Sequence, residues 1–334
     1  MTEIDETSVA ATAGEPEATQ LEAAKHEAGE HEAGEGEGRR CGFVALVGAP
    51  NAGKSTLINT LVGSKVSIVS RKVQTTRVPV RGIAMVGLSQ LVFIDTPGIF
   101  APRRRLDRAM VGAATGAAGD ADVVALLVDA AKGLEESVER LLDVLEPLAT
   151  QRILILNKID RVEKFTLLGL AAAINERLPF ERTFMISALS GSGVEHLKTW
   201  LAGSLPPGPW HYPDDEITDA TERSTAAEIT REKIYEYLHE ELPYQTTVET
   251  TAWEEKKDGS VRIEQIVFVE RESQRRIVLG EGGRSVKQIS MTSRKELAKL
   301  FGRPVHLFLH VKVAEGWEND PSHYREMGLE FPKE

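Results

Sequence analysis

The residues best placed to do chemistry form one string, Gly48-Ala-Pro-Asn51-Ala52-Gly53-Lys54-Ser55, which reads G-x-x-x-x-G-K-S. Phe43–Val47 before it is short, apolar and valine-rich, and Thr56–Val62 after it carries apolar residues at helical spacing. Strand, glycine loop and helix in that order make a phosphate cradle. The glycines let successive N–H groups converge on one anion, and the helix N-terminus adds unpaired N–H groups and a positive dipole end. Lys54 is expected to reach the β- and γ-phosphates, and the Ser55 hydroxyl to hold Mg²⁺. Gly48, Asn51, Ala52, Gly53 and Thr56 complete the expected phosphate site.

Three further stretches supply what a phosphate loop alone lacks. Asp95-Thr-Pro-Gly98 closes an apolar run, where the Asp95 carboxylate is expected to serve the metal through a water and the Gly98 N–H to sense the γ-phosphate. Asn157-Lys158-Ile-Asp160 also ends an apolar strand. There an Asn amide suits the Hoogsteen edge of guanine, the Asp carboxylate accepts guanine N1–H and N2–H, and the stem of Lys158 covers the base face. Adenine offers no such donor pair, and a polar site rejects an analogue that leaves it unpaired. Ser187-Ala188 ends the next strand, where a backbone N–H is expected at guanine O6. Between the loop and Asp95 lies Gln74-Thr-Thr-Arg77, from which Thr76 rather than Thr75 is expected to cap the metal and γ-phosphate in the triphosphate state. The catalytic set expected is therefore Lys54, Thr76, Asp95 and Gly98, with Ser55, Thr76 and Asp95 as the metal residues.

These residues need a scaffold. From Gly42 to Pro206 strand-like runs at 43–47, 81–86, 90–95, 122–129, 152–157 and 183–187 alternate with helical patterns near 105–117, 134–148, 163–178 and 193–203. Gly87-Leu-Ser-Gln90 reads as a hairpin turn, and the rest predicts a mostly parallel six-stranded α/β sheet with helices on both faces. The Pro-rich, acidic stretch 207–225 reads as a linker. Beyond it the pattern is α-β-β-α-α-β over 226–314, an α+β domain with a helix at 226–241, strands at 246–254, 261–269 and 306–313, and a helix at 285–301. Residues 315–334 read as a polar tail with apolar anchors at Trp317, Tyr324, Met327, Leu329 and Phe331.

The second domain carries Gly280-Glu281-Gly282-Gly283, the G-x-x-G pattern that clamps a nucleic-acid backbone between two helices. Nine basic residues lie between Arg271 and Arg303 against Glu272, Glu281 and Glu296, a charge of +6 that suits a phosphate-facing patch. Arg276, Gly280 to Gly283, Arg284 and Lys287 are the expected RNA contacts.

Composition bounds the reading. At 334 residues the chain is long enough for two domains and tails, and 41% hydrophobic residues can build a core. The net charge of −11 misleads: residues 1–38 hold eleven acids against Lys25, a charge of −10, which leaves −1 for residues 39–334. The body is near neutral, so its acidity does not exclude a nucleic-acid partner. Residues 1–40, rich in Glu, Ala and Gly, predict a disordered acidic tail. Cys41 is the only cysteine, which excludes a disulfide framework and fits a reducing cytosol. No apolar run approaches membrane-spanning length, and the N-terminus has no apolar signal region.

Taken in order, G-x-x-x-x-G-K-S, D-T-P-G and N-K-x-D resemble the translation-factor-related GTPases. Together with Gln74–Arg77, Arg105-Leu-Asp-Arg-Ala-Met110, Glu228-Ile-Thr-Arg-Glu-Lys233 and Val269-Glu-Arg-Glu-Ser-Gln274, the body from 42 to 331 resembles the Era GTPases. That resemblance implies a P-loop GTPase domain at 41–206 and a type II KH domain at 226–314. It also implies GTP and Mg²⁺ as cofactors, binding to the 3′ region of small-subunit ribosomal RNA, and a role in maturing the small ribosomal subunit. A cytoplasmic monomer with peripheral contact to the inner face of the cell membrane is the matching expectation. Departures are visible. Ile99 stands where Ras-like proteins carry the water-orienting Gln, which predicts slow intrinsic turnover. Glu281 puts an acid in the RNA loop, so Arg284 and Lys287 must carry more of the phosphate contact. Ser224 replaces the aromatic usual after Glu-Arg in the family, and the acidic tail is no part of its pattern. The rival within the superfamily is a GTPase whose second domain docks protein, and the Gly280–Gly283 loop argues against it. A P-loop ATPase or small-molecule kinase is the rival of another class, and Asn157–Asp160 argues against that.

Overall fold

A computed structural model describes residues 38–70, 72, 75–77, 79–98, 104–238 and 242–332. The acidic stretch 1–37 and the residues Gln74 and Ile99 lie outside the described residues. The first sheet has the order β2 (Val80–Val86), β3 (Ser89–Asp95), β1 (Arg40–Gly48), β4 (Val123–Asp129), β5 (Gln151–Asn157), β6 (Arg182–Met185). Only β2 is antiparallel to its neighbour, through the expected hairpin; the other pairings are parallel. β3 and β4 are buried at every residue because helices cover both faces.

Two apolar layers flank this sheet. Leu57, Ile58 and Leu61 of α1 (Lys54–Val62) and Leu197 and Leu201 of α5 (Val194–Ser204) pack on Val44, Leu46 and Phe93. On the other face, α2 (Arg105–Asp120), α3 (Glu136–Leu145) and α4 (Lys164–Arg177) bring Ala114, Leu141, Leu142 and Ile174 onto Ala45, Val47, Leu126 and Leu154. Strand residues alternate between the two layers with the period of two expected of a pleated sheet.

The second domain has the predicted order: α6 (Glu222–Tyr237), β7 (Thr246–Glu255), β8 (Val261–Val269), α7 (Glu272–Leu279), α8 (Arg284–Phe301) and β9 (Val305–Val313). β8 is central, antiparallel to β7 and parallel to β9. α6 and α8 cover one face, with Ala226, Ile229 and Leu297 against Val261, Ile263 and Leu307. α6 starts four residues before the expected 226, because the Thr221 side chain accepts the Ser224 N–H and caps it.

Two segments differ from the sequence expectation. The stretch read as a linker is a strap on the first domain. Gln90, fully buried, accepts the N–H groups of His211 and Tyr212 and donates to the Tyr212 carbonyl, while Trp210 Nε1 donates to Leu88 O. The stretch read as a polar tail docks on the first domain: Trp317, Tyr324 and Leu329 are buried against Leu106, Ala109 and Met110 of α2. Apolar anchors of this size stabilise by roughly 1.5–3 kcal/mol each when fully buried. The short helix α9 (Pro321–Glu326) presents Tyr324, whose hydroxyl donates to Glu318 O.

Candidate functional site

The carboxyl ends of β1, β3 and β5 meet a cavity of about 630 Å³, the usual ligand crevice of an α/β sheet. Asn51, Gly53, Lys54, Ser55, Thr56, Thr76, Gly98, Asn157, Lys158, Asp160, Ser187 and Ala188 all line it. Asp95 lies behind Ser55, fully buried, and Gly48 and Ala52 form the cavity's rear backbone.

At the phosphate end, Lys54 is buried and its Nζ donates to Gly48 O at 3.0 Å and Ala49 O at 3.3 Å. Burial pushes the Lys54 ammonium down to about 8, partly opposed by the nearby Asp95 carboxylate. Its charge sits in a dry place, where an anionic ligand gains most from it. The Ser55 hydroxyl donates to Asp95 Oδ2 at 2.7 Å, and Thr76 Oγ1 lies 3.1 Å from Ser55 Oγ and 3.2 Å from Asp95 Oδ2. Thr75 instead donates to Lys72 O, so of the two it is Thr76 that reaches Asp95. Asp95 Oδ1 is buried with no hydrogen-bond partner among the described residues. An orphaned carboxylate oxygen beside two hydroxyls is an all-oxygen set that fits Mg²⁺. A Cβ on Gly98 would lie 3.0 Å from Pro50 N, so glycine lets this strand end close on the phosphate loop.

At the base end two side chains that line the cavity are also tied into the protein itself. Asn157, read as a base contact, is a strut: its Nδ2 donates to Ala52 O at 2.8 Å and its Oδ1 accepts the Ala188 N–H at 2.9 Å. A Cβ on Gly53 would fall 2.3 Å from that Nδ2, which explains glycine there beyond its φ of 105°. The Ala188 N–H is therefore taken, and the Ser187 N–H bonds to Ser192 O, so neither points to a free O6 donor here. Lys158 lines the cavity as expected, but its ammonium also ties Asn51 O (2.7 Å) to Asp129 Oδ2 (2.6 Å). Among the described residues Asn51 and Lys158 are the two non-glycine residues with positive φ, and both belong to this site, where backbone strain tends to collect. Asp160 stays exposed, with a hydrogen bond from the Ser187 side chain holding its carboxyl below the usual range. An ionised, outward carboxylate is the acceptor that a guanine edge requires.

Asp129 and Ser67 were missed from the sequence. Asp129 ends β4 with no motif around it, and Ser67 Oγ donates to Asp95 Oδ2 at 2.7 Å from a stretch with no pattern of its own.

In the second domain Gly280 joins α7 to the loop with φ 72° and ψ 171°, a conformation that is glycine's alone. A Cβ there would also lie 2.7 Å from Ser285 Cβ. Gly282 (φ 61°) and Gly283 (φ 76°) have open space around them, so their backbone is accessible. Arg284 turns back onto Glu281 in an exposed ion pair, which diverts one of the two residues expected to carry phosphate contact. Arg276 and Lys287 are exposed.

Comparison with known proteins agrees with both halves. A family model described as 50S ribosome-binding GTPase matches residues 43–158, and a KH domain model matches 241–318. A Bradyrhizobium sp. (strain BTAi1 / ATCC BAA-1182) protein named GTPase Era is 63% identical over 295 residues, covering 88% of this chain and 96% of the relative. The chain belongs to the Era family of GTPases. A Brucella suis biovar 1 (strain 1330) GTPase Era is 60% identical over 293 residues, covering 88% of this chain and 94% of its own length. Among solved structures, a variant of Aquifex aeolicus Era bound to GDP and AlF4⁻ superposes with a TM-score of 0.83 at 36% identity, covering 86% of this chain and 99% of that one. A structure of Era in complex with MgGDPNP and nucleotides 1506–1542 of 16S ribosomal RNA superposes equally well, covering 87% and 99%. The protein is a GTPase of P-loop fold followed by a KH domain. Among the described residues no helix is long and apolar enough to cross a membrane.

Proposed function

We propose that this Era-family protein is a Mg²⁺-dependent GTP switch that binds the 3′ region of small-subunit ribosomal RNA through its KH domain and assists maturation of the small subunit. Lys54 and the backbone of Gly48–Ser55 hold the phosphates; Ser55, Thr76 and Asp95 hold the metal, which supplies charge neutralisation for phosphoryl transfer. Asp160 selects guanine. Gly280–Gly283, with Arg276, Arg284 and Lys287, takes the RNA backbone. The complex of a related Era with 16S ribosomal RNA supports this assignment. The domain limits are 41–206 and 222–314, the second domain opening with α6. The protein acts as a monomer, and the membrane contact expected of the family is peripheral.

The observation that carries the switch is one step of chain. Thr76 reaches the Asp95 carboxylate, while the next residue, Arg77, is buried in the second domain and donates to Pro243 O (3.3 Å), Tyr244 O (3.0 Å) and Thr246 O (2.7 Å). Around it Arg231 donates to Thr75 O at 2.6 Å, Glu232 accepts the Val69 N–H, and Lys65 bridges Glu232 and Glu296. Burial disfavours the charge of Lys233 in this cluster, but hydrogen bonds to Glu296 and Glu236 outweigh it and hold the ammonium above its ordinary value. A loop that serves the γ-phosphate on one residue and the KH domain on the next is a device both ligands can bias.

The test is RNA binding by the full chain with a GTP analogue, GDP or no nucleotide, at stated salt, using the 3′ tail of small-subunit ribosomal RNA and a scrambled control. Sequence-dependent binding that tightens with the GTP analogue is expected. Binding indifferent to sequence and nucleotide would leave the GTPase intact and move the second domain to protein docking.

A further inference from the structure

Ser67 sits in none of the nucleotide motifs, yet its hydroxyl is as close to Asp95 Oδ2 (2.7 Å) as that of Ser55 and closer than that of Thr76 (3.2 Å). Ser67 is 3% exposed and Asp95 is fully buried. Three hydroxyls thus serve one carboxylate oxygen, while Oδ1 has none. The placement of Ser67 is built. Asn59 of α1, one turn beyond Ser55, accepts the N–H groups of Val66 and Ser67 at 2.9 Å and donates to Ser67 O at 2.7 Å. A side-chain amide that brackets the N–H and C=O of one residue fixes its backbone. The helix that opens at the phosphate loop therefore holds Ser67, and Ser67 holds Asp95.

Ser55 and Thr76 already serve the metal in the reading above, so Ser67 is the donor left to Asp95 alone. We propose that Ser67, clamped by Asn59, is a positioning residue for the magnesium site: it keeps Asp95 in the orientation that leaves Oδ1 to the metal's coordination shell. This rests on the Mg²⁺-dependent reading under the proposed function. The adjacent Ile68 is buried against Ala226 and Ile229 of α6, so the position of Ser67 also depends on the second domain being seated.

The test is equilibrium binding of a fluorescent GTP analogue to the full chain as Mg²⁺ is titrated, with EDTA as baseline. Ser67→Ala is expected to raise the Mg²⁺ concentration that half-tightens binding by about ten- to a hundredfold, the loss of one hydrogen bond to a charged group, and to leave affinity in EDTA unchanged. Ser67→Thr, which keeps the hydroxyl, should stay closer to the parent. Asn59→Ala should shift the midpoint the same way, and the double variant no further than the larger single one. Ser89→Ala is the structural control: it removes a buried hydroxyl that donates to Ala202 O, away from the site, and should not move the midpoint. A midpoint unchanged in Ser67→Ala, or shifted equally in Ser89→Ala, overturns the proposal. A parent protein without Mg²⁺ dependence would instead remove the magnesium reading beneath it.

Discussion

The nucleotide cavity and the Gly280–Gly283 loop are both proposed to take phosphate, and they are built in opposite ways. In the cavity the working groups are buried and held by one another: Lys54 by two carbonyls, Asp95 by three hydroxyls, Asn157 between two loops. In the RNA loop the backbone is accessible and the cations are exposed, one of them neutralised by its own neighbour, Glu281. Preorganised, dry groups concentrate binding energy in a few atoms. Exposed cations spread it over many screened contacts. Single substitutions should therefore be severe in the first region and graded in the second.

The largest effect is expected at Lys54. Lys54→Ala should weaken GTP binding by a hundredfold or more, on the order of 3 kcal/mol for lost charge-assisted bonds in a desolvated site. Calorimetric titration measures it, and hydrolysis at the native rate would break the contrast at its strong end. Asp160 tests whether an exposed residue of the same cavity behaves like the buried ones. Asp160→Asn should cost GTP about tenfold or more, because the carboxylate is proposed to pair with two guanine donors, and should move preference toward xanthine nucleotides. Competition between GTP and XTP reads this, and an unchanged preference for GTP refutes the role given to Asp160.

The same contrast governs what could be read from the sequence. The phosphate loop, Asp95–Gly98 and Asn157–Asp160 were legible because each is a strand end running into a short turn, so local spacing fixes the geometry. The second domain's α-β-β-α-α-β order was legible for the same reason. The role of Asn157 was not, since its partners Ala52 and Ala188 lie in loops far away in the chain and only the sheet order brings them together. Ser67 and Asp129 were invisible because a single hydroxyl or carboxylate has no periodicity. The strap at Trp210–Tyr212 and the docked Trp317–Leu329 segment looked like linker and tail by composition. Their order comes from a buried Gln90 and from the apolar face of α2, tertiary partners that no local window contains.

The smallest effect, and the one that best sharpens the contrast, is expected at Glu281. Glu281→Lys removes an acid from the RNA loop, adds a cation and releases Arg284 from its pair. Exposed pairs of this kind contribute little to stability, so the fold and GTP hydrolysis should be unchanged. RNA affinity should rise about threefold at low salt, and the steepness of its salt dependence should increase by about one counterion per new phosphate contact. The gain should fade as salt is raised, whereas the loss in Lys54→Ala should persist because its site is buried. A salt-independent gain at Glu281 would mean that the loop works by a shaped contact like the nucleotide cavity. No gain at any salt would mean that the phosphates pass the loop on its backbone alone, with Arg284 no part of the clamp.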